Sequence, residues 1–209
     1  MITEQDIQSF IGYAHKVGQY NLTVCSSGNL SWKIDNQVLM SGTGSWVPEI
    51  KKENIAVLNL EDGKLLSGPR PSMEHVFHLG VLQQRKDVNV VLHFQSPYAT
   101  AIACRKDLPK NFNLTAEVPC HVGNEIAVVP YFRPGSKELA NAVIQAMQTH
   151  NSVLLRKHGQ ITCGKDFNQA FERAMFFEMV CRILVLNGDN IDPLTKEEVE
   201  DINKVFLNK

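Results

Sequence analysis

Two histidines, one carboxylate and two loops of small residues carry the chemistry this sequence can offer. His93 closes the run Val88-Asn-Val-Val-Leu-His-Phe-Gln95, and His158 follows the run Ser152-Val-Leu-Leu-Arg156 within Lys157-His158-Gly159. Both runs are short, apolar and rich in β-branched residues, the composition of buried strands rather than helices. Rigid elements deliver chemistry where they end, so two strands that finish in histidines can bring two imidazoles toward one point. Taken alone, each histidine reads more readily as a hydrogen-bonded structural residue; the pair is what suggests a site.

The carboxylate is Glu74, in Pro71-Ser72-Met73-Glu74-His75-Val76-Phe77-His78. Ser72 is placed to cap a helix with Val76, Phe77, Leu79 and Leu82 on its apolar side, which puts Glu74 in the first turn, where the dipole favours an acid. Glu74 and His78 are four apart and share a helical face. The loops are Ser26-Ser27-Gly28-Asn29 and Ser41-Gly42-Thr43-Gly44-Ser45. Glycines let backbone N–H groups approach an anion, and hydroxyl and amide side chains add donors, so the two loops together suit a phosphate. Either one alone is an ordinary turn.

The elements that must position these residues follow from periodicity. Thr3 caps a first helix with Ile7, Phe10, Ile11 and Ala14 on one face. Leu30–Ile34, a turn at Asp35-Asn36 and Val38–Ser41 predict a hairpin between the two loops. Ile55–Leu60 and Glu125–Pro130 read as further strands, and Gln160–Cys163 as a short one. Ser96-Pro97 starts a helix, Arg133-Pro-Gly-Ser136 opens another, and Asp166 with Gln169 makes a capping box for a long one. Thr195 with Glu198 caps a last short helix, and Leu114–Val122 has no assignable period. Hairpins mixed with four or five helices predict an α/β fold, a three-layer α/β/α sandwich with a mixed, largely antiparallel sheet rather than a doubly wound series.

At 209 residues, one domain over 1–209 with a substantial core is expected. The net charge of −1 gives no basis for nucleic-acid or anionic-membrane binding. No apolar run approaches the roughly 18 residues of a membrane span. Met1-Ile-Thr-Glu-Gln-Asp lacks the features of a signal peptide. The five cysteines are scattered and never in a Cys-x-x-Cys, which fits a reducing, cytoplasmic setting. Two sequons, Asn21-Leu-Thr23 and Asn113-Leu-Thr115, are then chance matches.

Ser27-Gly-Asn-Leu-Ser31, Ser41-Gly-Thr-Gly44, Pro71-Ser-Met-Glu74 with His78, a strand ending His93-Phe-Gln95, and Lys157-His-Gly159 occur in that order. This set resembles the class II aldolase/adducin family, and within it the L-fuculose-1-phosphate aldolases, from about Thr3 to about Leu207. The resemblance implies a homotetramer with a zinc at a subunit edge that cleaves a ketose 1-phosphate to dihydroxyacetone phosphate and an aldehyde. It implies Glu74 as acid/base, His93 and His158 as metal ligands, and Gly28, Asn29, Thr43, Gly44 and Ser72 as the phosphate site. A Lewis acid that stabilises an enediolate, beside a carboxylate that moves the proton, agrees with those residue types.

Three positions depart from the family pattern. Gln95 stands where a second histidine is expected, so zinc binds more weakly, a harder metal is preferred, Gln95 itself ligates, or His121 substitutes. Met73 replaces a hydroxyl donor of the phosphate site. The tyrosines that protonate the leaving fragment are absent: Ala116 or Glu117 stands near the first, and the tail Val205–Lys209 has none. Other chemistry of the family (pentulose-5-phosphate epimerisation, dehydration or decarboxylation) uses the same metal enolate, and a metal-free adducin-like domain is the alternative outside enzymes.

Overall fold

A computed structural model of the protein describes residues 2–188 and 190–206. Met1 and the end of the tail, Leu207–Lys209, lie outside the described residues. Helix α1, Glu4–Gln19, is followed by β1, Asn29–Ile34, and β2, Gln37–Ser41. Then come β3, Ile55–Asn59, β4, Leu65–Ser67, α2, His75–Gln84, β5, Val90–Phe94, and α3, Pro97–Cys104. The second half holds β6, Ala127–Val129, α4, Lys137–Ala146, β7, Ser152–Leu155, β8, Gly159–Gly164, α5, Phe167–Asn187, and α6, Lys196–Phe206.

The strands form one eight-stranded sheet in the order β4-β3-β2-β1-β5-β8-β7-β6. Every pairing is antiparallel except β6 with β7. Helices cover both faces. On one, Phe10 and Val17 of α1, Ile102 of α3 and Phe177 of α5 pack with Leu30, Leu92 and Phe94. On the other, Phe77 and Leu82 of α2 and Val143 of α4 pack with Val38, Met40, Val91 and Ile161. This is the expected three-layer sandwich. All five residues of β5 are buried, which explains its unbroken apolar run: a central strand covered on both faces has no polar side to show. Each large side chain there contributes about 1.5–3 kcal/mol of burial.

The helix starts follow the sequence in most cases. Thr3, Ser136 and Asp166 accept from the backbone N–H three residues on, in α1, α4 and α5. Thr195 and Glu198 form the capping box of α6. Two expectations change. Gln169 does not close a box with Asp166, because its Oε1 accepts from Lys165 N at 2.9 Å instead. The helix after Ser72 begins only at His75, with Glu74 at its cap position and no side-chain cap bond. The Glu74 carboxylate is drawn inward, and the Ser72 hydroxyl accepts Glu74's own N–H at 3.3 Å. Leu114–Val122 ends in a single π turn over Val118–Val122.

Candidate metal and phosphate site

Strand register brings the chemistry to one end of the sheet. Asn29 of β1 lies opposite His93 of β5, and Phe94 lies opposite Gln160 of β8. His158 sits in the tight turn between β7 and β8, just before Gly159, after Lys157 at a left-handed φ of 55°. The end of β2 arrives at the same edge. There Ser72 N donates to Ser41 O at 3.0 Å and Thr43 N to Arg70 O at 2.9 Å, so the segment carrying Glu74 is tied to the Ser41–Ser45 loop.

Glu74, His93 and His158 converge. Each offers one ligand atom, and these atoms lie within 4.8 Å of one another. Glu74 Oε2 is 3.4 Å from His93 Nε2, and Glu74 Oε1 is 3.7 Å from His158 Nε2. The two imidazole rings meet edge to face, their centres 4.9 Å apart. Gly159 permits that approach: a Cβ there would stand 2.6 Å from Phe94 O, 2.8 Å from Gln95 Cγ and 3.1 Å from His93 Cε1.

The protonation pattern suits a cation. The Gln160 carbonyl accepts from His93 Nδ1 at 2.9 Å. A carbonyl can only accept, so Nδ1 carries a proton, and Nε2 is the nitrogen turned toward Glu74. Burial, with His93 nearby, pushes His158 down to about 4 against the opposing pull of Glu74, so its ring is neutral near pH 7. Neutral imidazole is the ligating form. His93 Nε2, Glu74 Oε1 and His158 Nδ1 are buried without a hydrogen-bond partner. Such orphans cost about 1–3 kcal/mol each, and a bound cation would satisfy those that face it.

Gln95 leaves β5 with its N–H donating to Leu22 O at 3.0 Å. Its Cγ lies against Gly159, 2.8 Å from where an added Cβ would stand. His121 is placed elsewhere. Its Nδ1 faces Glu172 Oε2 at 3.1 Å and its ring stacks on Phe176 at 4.8 Å, so it is outside the cluster. Met73 is exposed and packs beside Gly135.

The five expected phosphate residues divide. Thr43 and Gly44 are exposed at the loop. Gly28, at φ +77°, passes so close to β5 that a Cβ would meet His93 O at 2.7 Å. Ser72 is buried and already accepts from Glu74 N. The Asn29 side chain is buried and fully engaged: its Nδ2 donates to Glu74 Oε2 at 2.9 Å, and its Oδ1 accepts from His78 Nε2. Sequence reasoning assigned Asn29 to the anion and gave Ser31 and His78 no task. The signal was present as two polar pairs at structural spacing, Asn29/Ser31 on one strand face and Glu74/His78 on one helix face.

Comparison with known proteins places this geometry. The family model for the Class II Aldolase and Adducin N-terminal domain matches residues 8–185. A 3-oxo-tetronate 4-phosphate decarboxylase of Haemophilus influenzae is 34% identical over 184 residues, 86% of this chain and 87% of that protein. A 5-deoxy-D-ribulose 1-phosphate aldolase of Bacillus thuringiensis is 32% identical over 212 residues, 99% of this chain and 97% of that protein. A solved L-fuculose 1-phosphate aldolase superposes with a TM-score of 0.89 at 29% identity, covering 99% of this chain and 98% of its own.

Proposed function

This chain belongs to the Class II Aldolase and Adducin N-terminal domain family, and on that premise we propose that it is a divalent-metal-dependent carbon–carbon lyase whose substrate is a phosphorylated 3-oxo sugar acid. The observation that carries the reading is the convergence of Glu74, His93 and His158 with their unpartnered polar atoms buried. A metal-free binding domain has no use for the orphans His93 Nε2 and Glu74 Oε1 beside the His158 ring. His93, His158 and Glu74 would hold the ion, with the Gln95 amide oxygen as a further donor; zinc suits imidazole and carboxylate. When bound, it supplies a Lewis acid for negative charge on the substrate's oxygens.

Loss of the carboxylate breaks the bond between C1 and C2, and carbon dioxide leaves. The electron pair passes from C2 onto the neighbouring C3 oxygen as an enediolate. One proton must then reach C2, and Glu74 is the acid beside the histidines that can give it. For a four-carbon 3-oxo acid 4-phosphate the product is dihydroxyacetone phosphate. The exposed Thr43–Gly44 turn, with Gly28 and Ser72 behind it, is the proposed phosphate site.

The second reading is retro-aldol cleavage of a ketose 1-phosphate such as L-fuculose 1-phosphate. Similarity to the 5-deoxy-D-ribulose 1-phosphate aldolase along 99% of the chain supports it. That reaction moves protons at two places, the hydroxyl that becomes the aldehyde and the carbon that keeps the electron pair. Ala116 or Glu117 stands where the resemblance expects a tyrosine that exchanges a proton with the leaving fragment. Decarboxylation needs only the second, which favours it here. The family resemblance also suggests a homotetramer.

The test is turnover with zinc, cobalt or manganese on 3-oxo-tetronate 4-phosphate and a panel of ketose 1-phosphates. Dihydroxyacetone phosphate and carbon dioxide are measured separately. Both products from the sugar acid are expected. Dihydroxyacetone phosphate from a ketose 1-phosphate alone would make the protein an aldolase. Release from neither substrate class would remove the lyase reading.

A further inference from the structure

The Glu74/His78 pair is bridged by a side chain from a different part of the chain. Asn29 lies between them, and Ser31 backs His78. The chain of bonds runs Ser31 Oγ to His78 Nδ1 at 2.7 Å, His78 Nε2 to Asn29 Oδ1, and Asn29 Nδ2 to Glu74 Oε2 at 2.9 Å. Ser31 and His78 are fully buried, and Asn29 and Glu74 nearly so.

The direction of these bonds is set by what each atom can do. A carboxamide has two ends of nearly equal size, so shape does not decide which faces the acid. Turned one way, Nδ2–H donates to the carboxylate. Turned the other, a carbonyl oxygen faces a carboxylate oxygen, and like dipoles repel in a dry interior. Asn29 Oδ1 can only accept, so His78 Nε2 must carry a proton. Burial holds His78 well below its ordinary value, with the nearby rings of His93 and His75 acting in the same direction. The ring is therefore neutral and has one N–H. Its Nδ1 is then a lone pair, and the Ser31 hydroxyl donates to it. Every donor in the chain points toward Glu74.

We propose that His78 is a positioning residue for Glu74: its Nε2–H holds the Asn29 carboxamide with Nδ2 toward the carboxylate, fixing Oε2 and leaving Oε1 to exchange the proton. This rests on the reading of Glu74 as the acid/base. It also accounts for the polar cluster between α2 and β1 in an otherwise apolar layer, and it removes the Asn29 side chain from the phosphate site.

Two variants and one spectrum test it. His78→Leu deletes the donor, while His78→Gln offers an amide nitrogen near the place of Nε2. A misplaced acid costs roughly 10- to 100-fold in kcat, and that loss is expected for His78→Leu with KM changed by less than about two-fold. His78→Gln is expected to recover most of it. Histidine ¹⁵N–¹H spectra of the metal-free wild type should find His78 protonated at Nε2 and bare at Nδ1. A proton on Nδ1 alone, or wild-type kcat in His78→Leu, overturns the proposal. Should His78→Leu not fold, the spectrum and His78→Gln decide. Should the wild type turn over nothing, the lyase reading fails by itself. The tautomer, and a shift of the Asn29 side-chain amide signals in His78→Gln, still decide the positioning role.

Discussion

Glu74 and His93 are buried and His158 nearly so, whereas Thr43 and Gly44 stand exposed on a loop. The first group has its geometry fixed from behind: His93 by the Gln160 carbonyl, Glu74 by Asn29. The second is held by bonds to backbone carbonyls, from Thr43 N to Arg70 O and from the Ser45 hydroxyl to Gly42 O at 2.7 Å, which shape a turn and leave its outer face open. Developing charge at a reacting carbon needs donors that do not reorganise. A phosphate needs only reachable N–H groups and tolerates a mobile cradle. Substitutions in the first half should therefore strike turnover or metal, and those in the second should strike KM.

The largest effect belongs to metal removal. His158→Ala removes one of the two imidazoles and leaves His93 with oxygen donors alone, a poorer set for zinc. Stoichiometric metal and turnover should both disappear, measured by elemental analysis and the coupled assay. Chelation of the wild type should do the same and be reversed by added zinc. Glu74→Gln comes next. Both imidazoles remain and the new amide oxygen can still ligate, so it should keep the metal, and it should lose on the order of 10²–10⁴-fold in kcat. Normal turnover in that variant would move the proton transfer to another group.

Acid should weaken the metal-free protein in a defined window. His158 titrates near its ordinary 6.5 when unfolded and at about 4 when folded. Between those values the unfolded chain binds the proton and the folded chain does not, so stability falls as pH drops through that range. His78 is displaced in the same direction and adds to the loss. Asp87, held down to about 2 by its bond with Arg85, contributes a separate loss only below about 3.8. Urea midpoints at a series of pH values check this; a flat profile between pH 6.5 and 4 would mean that His158 is not desolvated.

Much of this layout is legible in the sequence, and what is not has a common cause. The buried runs around His93 and His158 announce strands because both faces of β5 and β7 are covered. The caps Thr3, Ser136, Asp166 and Thr195 act within three residues and can be read locally. The N-terminus of α3 cannot. Ser96 makes no cap bond; Glu178, 80 residues from Tyr98, accepts from Tyr98 N and Ala99 N. Strand β4 is three exposed residues with no alternation to detect. Asn29 reads as a loop donor for an anion, and only the pairing of β1 with β5 turns its amide toward Glu74.

Two glycines sharpen the comparison at its finest scale, because they have nearly the same backbone and different surroundings. Gly28 has φ +77°, and an added Cβ would stand 2.6 Å from Thr23 Cγ2 and 2.7 Å from His93 O. Gly44 has φ +73°, with nothing within 4 Å of that position. Gly28→Ala must both strain the backbone and push β5, so it should cost several kcal/mol and disturb metal binding through His93. Gly44→Ala meets only the left-handed strain, about 1–2 kcal/mol. It can relax by reshaping the exposed turn, which moves the N–H groups offered to the phosphate. A rise in KM of a few-fold with kcat and metal content unchanged is the expected result. A fall in kcat instead would mean that the loop reaches the reacting carbons, and the division between a rigid reacting half and an adaptable anchoring half would no longer hold.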